Sequence, residues 1–314
     1  FFQADDGIRD PLWSRGLGDV YKRQSLIWGT AFVAQTTGMD FIGPLTFINV
    51  RFIIGTVIIF PLAFVERDIF FNIERHKKNK LYLVVFLTGC SLFVGSYLQQ
   101  YALQFTKVSN AAFLTILYVP FVPIISRFFL AKKIHWSIWL SVSICLVGSY
   151  YLTTGNSFEA QSADVLVAFC AVFFALHCIL IDEFFDIVNA PFSLAFYQFG
   201  ICFLISLPLM FVFEEPSISG IYQEIGQLLY VGIMSTGVAY TLQIIGQKYV
   251  RPSTAVITLS LEGVFAAFTA WIILSQILSP IQIIGSALII VGVLVAQLIP
   301  LISQEAADQR FNDI

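Results

Sequence analysis

A shift of 143 positions lays one part of this chain on another. Tyr97, Gln100, Gln104 and Ala112 fall on Tyr240, Gln243, Gln247 and Ala255, within two otherwise apolar segments, Gly95 to Leu152 and Gly237 to Leu298. Pro44 and Pro61 match Pro191 and Pro208 at a shift of 147, so the earlier parts of each half agree in a register displaced by a few residues. Fixed-period self-similarity decides the architecture before any local reading does. The repeated unit is a set of membrane spans. The chain is 58% hydrophobic and 12% charged, with 32 Phe, which no water-facing surface of a domain this size accommodates. Runs of about 20 apolar residues, enough to cross a hydrocarbon layer of roughly 30 Å, recur throughout. The short alternating segments of a membrane barrel are absent.

Ten spans are expected: Ser25–Thr37, Pro44–Val65, Leu81–Gln104, Val108–Leu130, Ile134–Thr153, Ala163–Ile181, Ala190–Phe213, Ile225–Gln247, Pro252–Leu274 and Pro280–Leu301. They group as a first five-helix repeat over 25–153, a Gly/Asn/Ser-containing linker over 154–162, and a second repeat over 163–301. A polar tail, 302–314, follows. Residues 1–24 are charged, aperiodic and without an apolar core, and are excluded from the fold. Asp19 to Gln24, DVYKRQ, is the in-frame reading of GAT GTG TAT AAG AGA CAG, which resembles a transposon mosaic end used in sequencing libraries. The native chain is then expected to begin near Ser25, with its first helix truncated. Cys90, Cys145, Cys170, Cys178 and Cys202 all fall inside spans without CxxC spacing and read as packing residues.

Short loops rich in Lys and Arg stay cytoplasmic. With the first helix running outward, the inner side collects Arg67, Arg75, Lys77, Lys78, Lys80, Arg127, Lys132, Lys133, Lys248, Arg251 and Arg310, and the outer side only Lys107. Both termini are therefore expected in the cytoplasm. The inner loop after the sixth span is acidic, with Asp182, Glu183 and Asp186, but acidic residues weigh little in this rule. Five spans per half is an odd number, so the second copy must be upside down. Lys132 and Lys133, inside, correspond to Ser275 and Gln276, outside, so charge is missing where topology requires it. Inverted repeats are a recurrent plan of secondary transporters.

Several stretches in order resemble one family over Ser25 to Leu301: IWGTAFVA (Ile27 to Ala34), NVRF (Asn49 to Phe52), YVPFVPII (Tyr118 to Ile125), LEGVFAAF (Leu261 to Phe268) and GSALIIVGV (Gly285 to Val293). The pattern is similar to EamA-like transporters of the drug/metabolite transporter superfamily. Gly263 stands where that family usually has Pro, and Lys132 and Gln276 replace frequent Glu residues. The resemblance implies an all-α polytopic membrane protein of ten helices in two inverted five-helix repeats, sited in a bacterial cytoplasmic membrane. It implies alternating access and export of small organic metabolites such as amino acids. A nucleotide-sugar or sugar-phosphate carrier of the same superfamily is the alternative, and a membrane-embedded enzyme a more distant one.

Polar residues inside the spans are the candidate site. Arg51 and Glu262 are ionisable within apolar helices, hence functional candidates by default, and their depths allow them to pair. A structural tie between helices and a substrate or proton role are both open. Tyr97, Gln100, Tyr101 and Gln104 form an i, i+3, i+4, i+7 stripe, and Tyr240, Gln243 and Gln247 repeat it, so the two stripes are expected to line opposite mouths of one pathway. Interhelical hydrogen bonding is the alternative use for each Gln. By the resemblance, Trp28, Asn110, Tyr118, His177 and Thr258 lie on cavity-lining spans. His177 is either a proton carrier or a satisfied structural residue. Gly29, Gly95, Gly148, Gly237, Gly285 and Gly292 are expected at close helix contacts. No Walker loop, zinc-ligand cluster, nucleophile elbow or paired carboxylates occur, so neither cofactor, metal, ATP drive nor hydrolysis is indicated. The basic loop Arg67 to Lys80 fits topology and anionic lipid, not nucleic acid. The expected partners are a small-molecule substrate, a coupling proton and membrane lipid.

Overall fold

A computed structural model describes residues 17–106, 108–154, 161–265 and 279–312; side chains at 17–22, 108–110, 153–154, 297 and 301–312 lie outside the description. Among the described residues the regular structure is helical and no strand occurs. The helices are α1 (Leu17–Thr37), α2 (Pro44–Phe71), α3 (Arg75–Ala102), α4 (Val108–Thr115), α5 (Tyr118–Phe128), α6 (Trp136–Thr154), α7 (Asp164–Phe185), α8 (Pro191–Phe213), α9 (Ile218–Gln223), α10 (Ile225–Tyr230), α11 (Thr241–Gln247), α12 (Pro252–Leu259) and α13 (Pro280–Asn312). A π-helical stretch, Val231–Tyr240, joins α10 to α11. Among the described residues, seven helical segments are long and apolar enough to cross a membrane, including α2, α3, α7, α8 and the joined Ile225–Gln247, and a shorter apolar helix covers Trp136–Leu152. Many large apolar side chains, Phe60, Phe64, Phe211 and Phe213 included, point away from the protein, as a lipid-facing surface requires.

The charged loop expected over Glu66 to Lys80 is mostly helix. Nothing in it is Gly or Pro, so α2 runs on to Phe71 and α3 starts at Arg75. Phe70 is buried against Phe184 and Tyr197, which anchors the extension.

The heaviest packing joins α6 to α13, α2 to α8 and α3 to α7; α3 also meets α8, α2 the π stretch, and α1 the π stretch. The α6–α13 seam is built on glycine. A Cβ on Gly148 would meet the Gly285 carbonyl oxygen at 2.8 Å, and one on Gly285 would meet Gly148 O and Leu152 N, both at 2.6 Å. Small residues of this kind let backbones approach in lipid, where apolar burial gives no net drive between helices.

Two spans expected to be regular helix throughout each carry a tight i→i+3 turn, the backbone staying right-handed helical at Leu117 and Ser260. α4 and α5 are separated at Ile116 and Leu117, and α12 ends with a turn at Ser260 before helix resumes over 261–265. Pro120 has no N–H to bond Ile116 O, which instead accepts from Val119 N at 2.8 Å in a tight i→i+3 turn. Ser260 bonds its own hydroxyl to Ile257 O at 2.6 Å, and Gly263 N reaches Ser260 O at 3.3 Å.

α5 ends in a left-handed cap at Ala131, φ 52°, with Lys132 N bonded to Ser126 O at 2.9 Å. That turn delivers Lys132 Nζ to Asp182 at 2.9 Å and Glu183 at 3.2 Å, while Lys80 Nζ reaches Glu183 at 3.5 Å. Asp182 and Glu183, expected in a loop, lie in the last turn of α7 and meet basic partners on neighbouring elements. Burial opposes the charge on Lys132, yet hydrogen bonding and attraction from Asp182 and Glu183 outweigh it and hold its pKa above the ordinary lysine value. The resulting stability is present at neutral pH and lost only as pH rises through that raised value. An L-residue in the left-handed region costs about 1 kcal/mol relative to Gly. Ala131→Gly is therefore expected to stabilise the protein by roughly 0.5–1 kcal/mol, read as a raised thermal midpoint in detergent.

Candidate functional site

The fourth and ninth spans with their tight turns, the π stretch and α1 converge on one interior cavity. It is lined from α1 by Trp28, Ala31, Phe32 and Gln35; from α2 by Arg51; from α3 and α4 by Gln99 and Thr115; and from α5 by Tyr118. Phe174, His177 and Cys178 of α7, Ser235, Tyr240 and Gln243 of the eighth span, and Leu259 and Glu262 of the ninth complete it. The cavity has a volume of about 50 Å³. That is room for a few waters, one needing roughly 10–15 Å³ on this measure.

Arg51 is 3% exposed and tied to α1 and the π stretch: Nε donates to Thr236 Oγ1 at 3.1 Å and Nη1 to Gln35 Oε1 at 3.0 Å. It does not pair with Glu262, as its sequence depth had suggested. Depth along two helices fixes only one coordinate, and α2 turns Arg51 toward α1 while Glu262 follows the tight turn beside α5. Glu262, 9% exposed, faces the cavity and makes no hydrogen bond or ion pair among the described residues. Tyr118, which precedes Pro120 by two residues, also faces it, and its hydroxyl has no partner.

His177 Nε2 meets Gln198 Oε1 at 2.9 Å, and its ring stands edge-on to Tyr240 at 6.0 Å. Trp28 packs edge-on to the same ring at 4.8 Å and donates its indole N–H to Ser235 O at 3.4 Å. Gln243 lines the cavity, donates to Cys178 Sγ at 3.2 Å, and keeps its Oε1 without a partner. The cavity wall therefore keeps polar groups open to a ligand: Glu262, Tyr118 Oη and Gln243 Oε1 can each receive a hydrogen bond, and the Tyr118 hydroxyl can also give one.

The other expected residues are dispersed. Gln100 and Gln247 are buried behind the wall, donating to Gln35 O at 2.9 Å and Cys178 O at 3.1 Å. Thr258 is buried and bonds Thr254 O at 2.9 Å. Tyr97 stacks on Phe93 at 6.1 Å, Tyr101 is 38% exposed, and Gln104 is exposed past the end of α3. Of the expected stripe only Gln100 is buried, and Leu92, Ser96 and Gln99 share the inward side of α3 with it. The side chain of Asn110 lies outside the described residues. Sequence reasoning passed over Gln35 and Gln99. Gln35 had a signal: Trp28, Ala31, Phe32 and Gln35 stand at i, i+3, i+4 and i+7. Gln99 bonds Thr115 Oγ1 at 2.9 Å across the cavity edge and had no such pattern.

Compared with known proteins, the chain matches the model of the EamA-like transporter family over residues 24–154 and 161–298. It is 31% identical over 274 residues to a protein of Archaeoglobus fulgidus named as an uncharacterized transporter, covering 87% of this chain and 83% of the relative. The uncharacterized transporter YoaV of Bacillus subtilis is 26% identical, over 86% of this chain and 92% of its own length. The pseudopaline exporter CntI of Pseudomonas aeruginosa is 21% identical, over 77% and 82%. A solved crystal structure superposes with a TM-score of 0.74 at 18% identity, over 91% of this chain and 98% of that one, a likeness of fold.

Proposed function

The chain belongs to the EamA-like transporter family, and from that premise we propose that it carries small amine-bearing metabolites, such as amino acids or related compounds, outward across the cytoplasmic membrane by alternating access. The observation that carries this reading is the pair of tight turns in the fourth and ninth spans. Leu117 and Ser260 mark the turns and are related by the same 143-residue shift as the repeat, and within two residues of each turn a polar side chain, Tyr118 or Glu262, faces the cavity. Both turns depart from regular α-helix beside the polar cavity, the kind of place where transporters present binding groups inside a membrane.

Inverted two-fold architecture has further support in the helix pairings. Numbering spans in chain order, the contacts 2–7 and 5–10 map onto themselves when each span is exchanged for the one five away, and 3–6 maps onto 8–1. The glutamine ties follow suit, Gln100 of the third span to the first and Gln243 and Gln247 of the eighth to the sixth. Lys and Arg distribution supports both termini inside.

The open acceptors Glu262, Tyr118 and Gln243 suit a substrate's ammonium group, and the carboxylate of Glu262 can hold that group or a proton but not both, which gives a route to proton exchange. Arg51 is the only Lys or Arg among the described lining residues, and its Nε and Nη1 each already hold a hydrogen bond to the protein. This disfavours sugar phosphates, whose recognition uses clustered cations. The name of the pseudopaline exporter is consistent with outward transport.

The test is efflux from proteoliposomes loaded with a panel of amino acids, amines and sugar phosphates, with and without an opposing proton gradient. Amine-bearing compounds should leave faster than from empty liposomes. Movement of sugar phosphates alone, or of nothing in the panel by monodisperse protein, would sink the proposal.

A further inference from the structure

α2 and α8 hold one another by carboxylates placed at opposite ends of the pair. Glu214, just past α8, accepts from the first turn of α2: Leu45 N at 2.7 Å, Thr46 N at 2.8 Å and Thr46 Oγ1 at 2.7 Å. Glu66, near the end of α2, accepts from Ser193 N at 2.9 Å in the first turn of α8. Both helices begin with proline, Pro44 and Pro191, which has no N–H, so the carboxylates take the next donors along. Thr46 and Ser193 are related by the 147-residue shift, and the two caps are copies of one device. Each glutamate lies roughly 33 Å along from its own helix start, about the thickness of the hydrocarbon layer, so the caps sit at opposite faces of the membrane.

The middle of the pair is tied as well. Asn49 Nδ2 donates to Phe203 O at 3.1 Å and Ser206 Oγ at 3.0 Å, and the Phe52 and Phe199 rings pack at 6.1 Å. The carboxylate of Glu214 occupies the space where any side chain on Gly43 would go, so the chain entering α2 is held against it. A helix N-terminus favours a carboxylate through its free N–H groups and dipole, and a half-buried carboxylate withdrawn from them is left poorly solvated. Sliding or splaying α2 from α8 breaks one or both caps at once. The weak places lie elsewhere around the cavity, in the turns of the fourth and ninth spans and the π stretch.

The geometry points to α2 and α8 as a clamped axle: the pair stays closed at both membrane faces throughout transport, and Glu66 and Glu214 are the positioning residues that keep it so, while the other cavity helices rearrange against it. This rests on the alternating-access reading above. Arg51 rides on the axle, so its guanidinium is a fixed point in the cavity, and Gln35 and Thr236 are the groups that move relative to it.

The test uses the full chain with its five cysteines replaced by alanine and an azide-bearing amino acid in place of Gln99, reconstituted in liposomes. A short bis-methanethiosulfonate bridges either Thr46→Cys to Glu214→Cys or Glu66→Cys to Ser193→Cys, and a membrane-impermeant strained alkyne then labels the azide, which thiol reagents leave untouched, from either side. An axle predicts labelling from both sides, with rates in bridged and unbridged protein within about two-fold. Loss of labelling from one side on bridging either end overturns it, because that end must then open. Absence of labelling from either side in unbridged protein overturns alternating access, and the axle with it. Should the double variants misfold, single Glu214→Gln protein is followed by hydrogen exchange. The Leu45 and Thr46 amides should exchange about ten-fold faster while those in the middle of α2 are unchanged; equal rates at the cap would overturn the clamp.

Discussion

Glu262→Gln is expected to keep the protein folded and to remove transport of amine-bearing substrates. Glu262 faces the cavity without a hydrogen bond or ion pair among the described residues, and a buried carboxylate with no cation does not stabilise the helices around it. Glutamine has nearly the same shape, so the thermal midpoint should hold or rise. A substrate ammonium, by contrast, loses its charged partner, a deletion that costs about 2–5 kcal/mol. Efflux should therefore fall by at least roughly 30-fold, and the response to a proton gradient should vanish with it. The opposite split, a lowered midpoint with efflux retained, would make Glu262 a structural residue and remove the acid from the mechanism.

The largest effect on stability is expected at the α6–α13 seam. Gly285→Val puts a branched side chain where a single Cβ already meets Gly148 O and Leu152 N at 2.6 Å. Both are backbone atoms and neither can rotate away, so the helices must separate along the whole contact. Overpacking costs about 1–3 kcal/mol when side chains can yield, and this site should exceed that range. Gly200 of α8 is the control, since nothing lies within 4 Å of a Cβ built there. Gly200→Ala should be neutral or gain up to about 1 kcal/mol of helix propensity. Yields of monodisperse protein on gel filtration and thermal midpoints separate the two; equal behaviour would mean the seam is looser than its geometry.

Spans and their starts were legible because apolar length and N-terminal proline are local signals: Pro44, Pro191, Pro252 and Pro280 each open a helix where expected. The turn in the fourth span could have been read from Pro120 and Pro123. The matching turn at Ser260 has no proline, only a hydroxyl that competes for a backbone carbonyl, and the π stretch Val231–Tyr240 changes hydrogen-bond register without changing composition. Neither leaves a mark on an apolar pattern. Candidate site residues divide the same way. Trp28, Arg51, Tyr118, His177, Tyr240, Gln243 and Glu262 line one cavity. The α3 stripe reached the interior only at Gln100, because a run of Tyr and Gln has no sharp apolar edge to set its phase. Glu66 and Glu214 escaped notice because they stand at the charged ends of spans, where solvent is the ordinary explanation, and their partners are more than a hundred residues away.

That separation has a consequence for how the protein is made. The donors at Leu45 and Thr46 wait for a carboxylate 169 and 168 residues further along the chain, which a ribosome adds roughly 10–30 s later. Through that interval the second span is in the membrane with its leading turn incomplete, and only the arrival of the seventh finishes it. Neither half is then a self-sufficient folding unit. A nascent chain stalled after the fifth span should be a target for membrane quality control, and two separately synthesised halves should find each other at this joint.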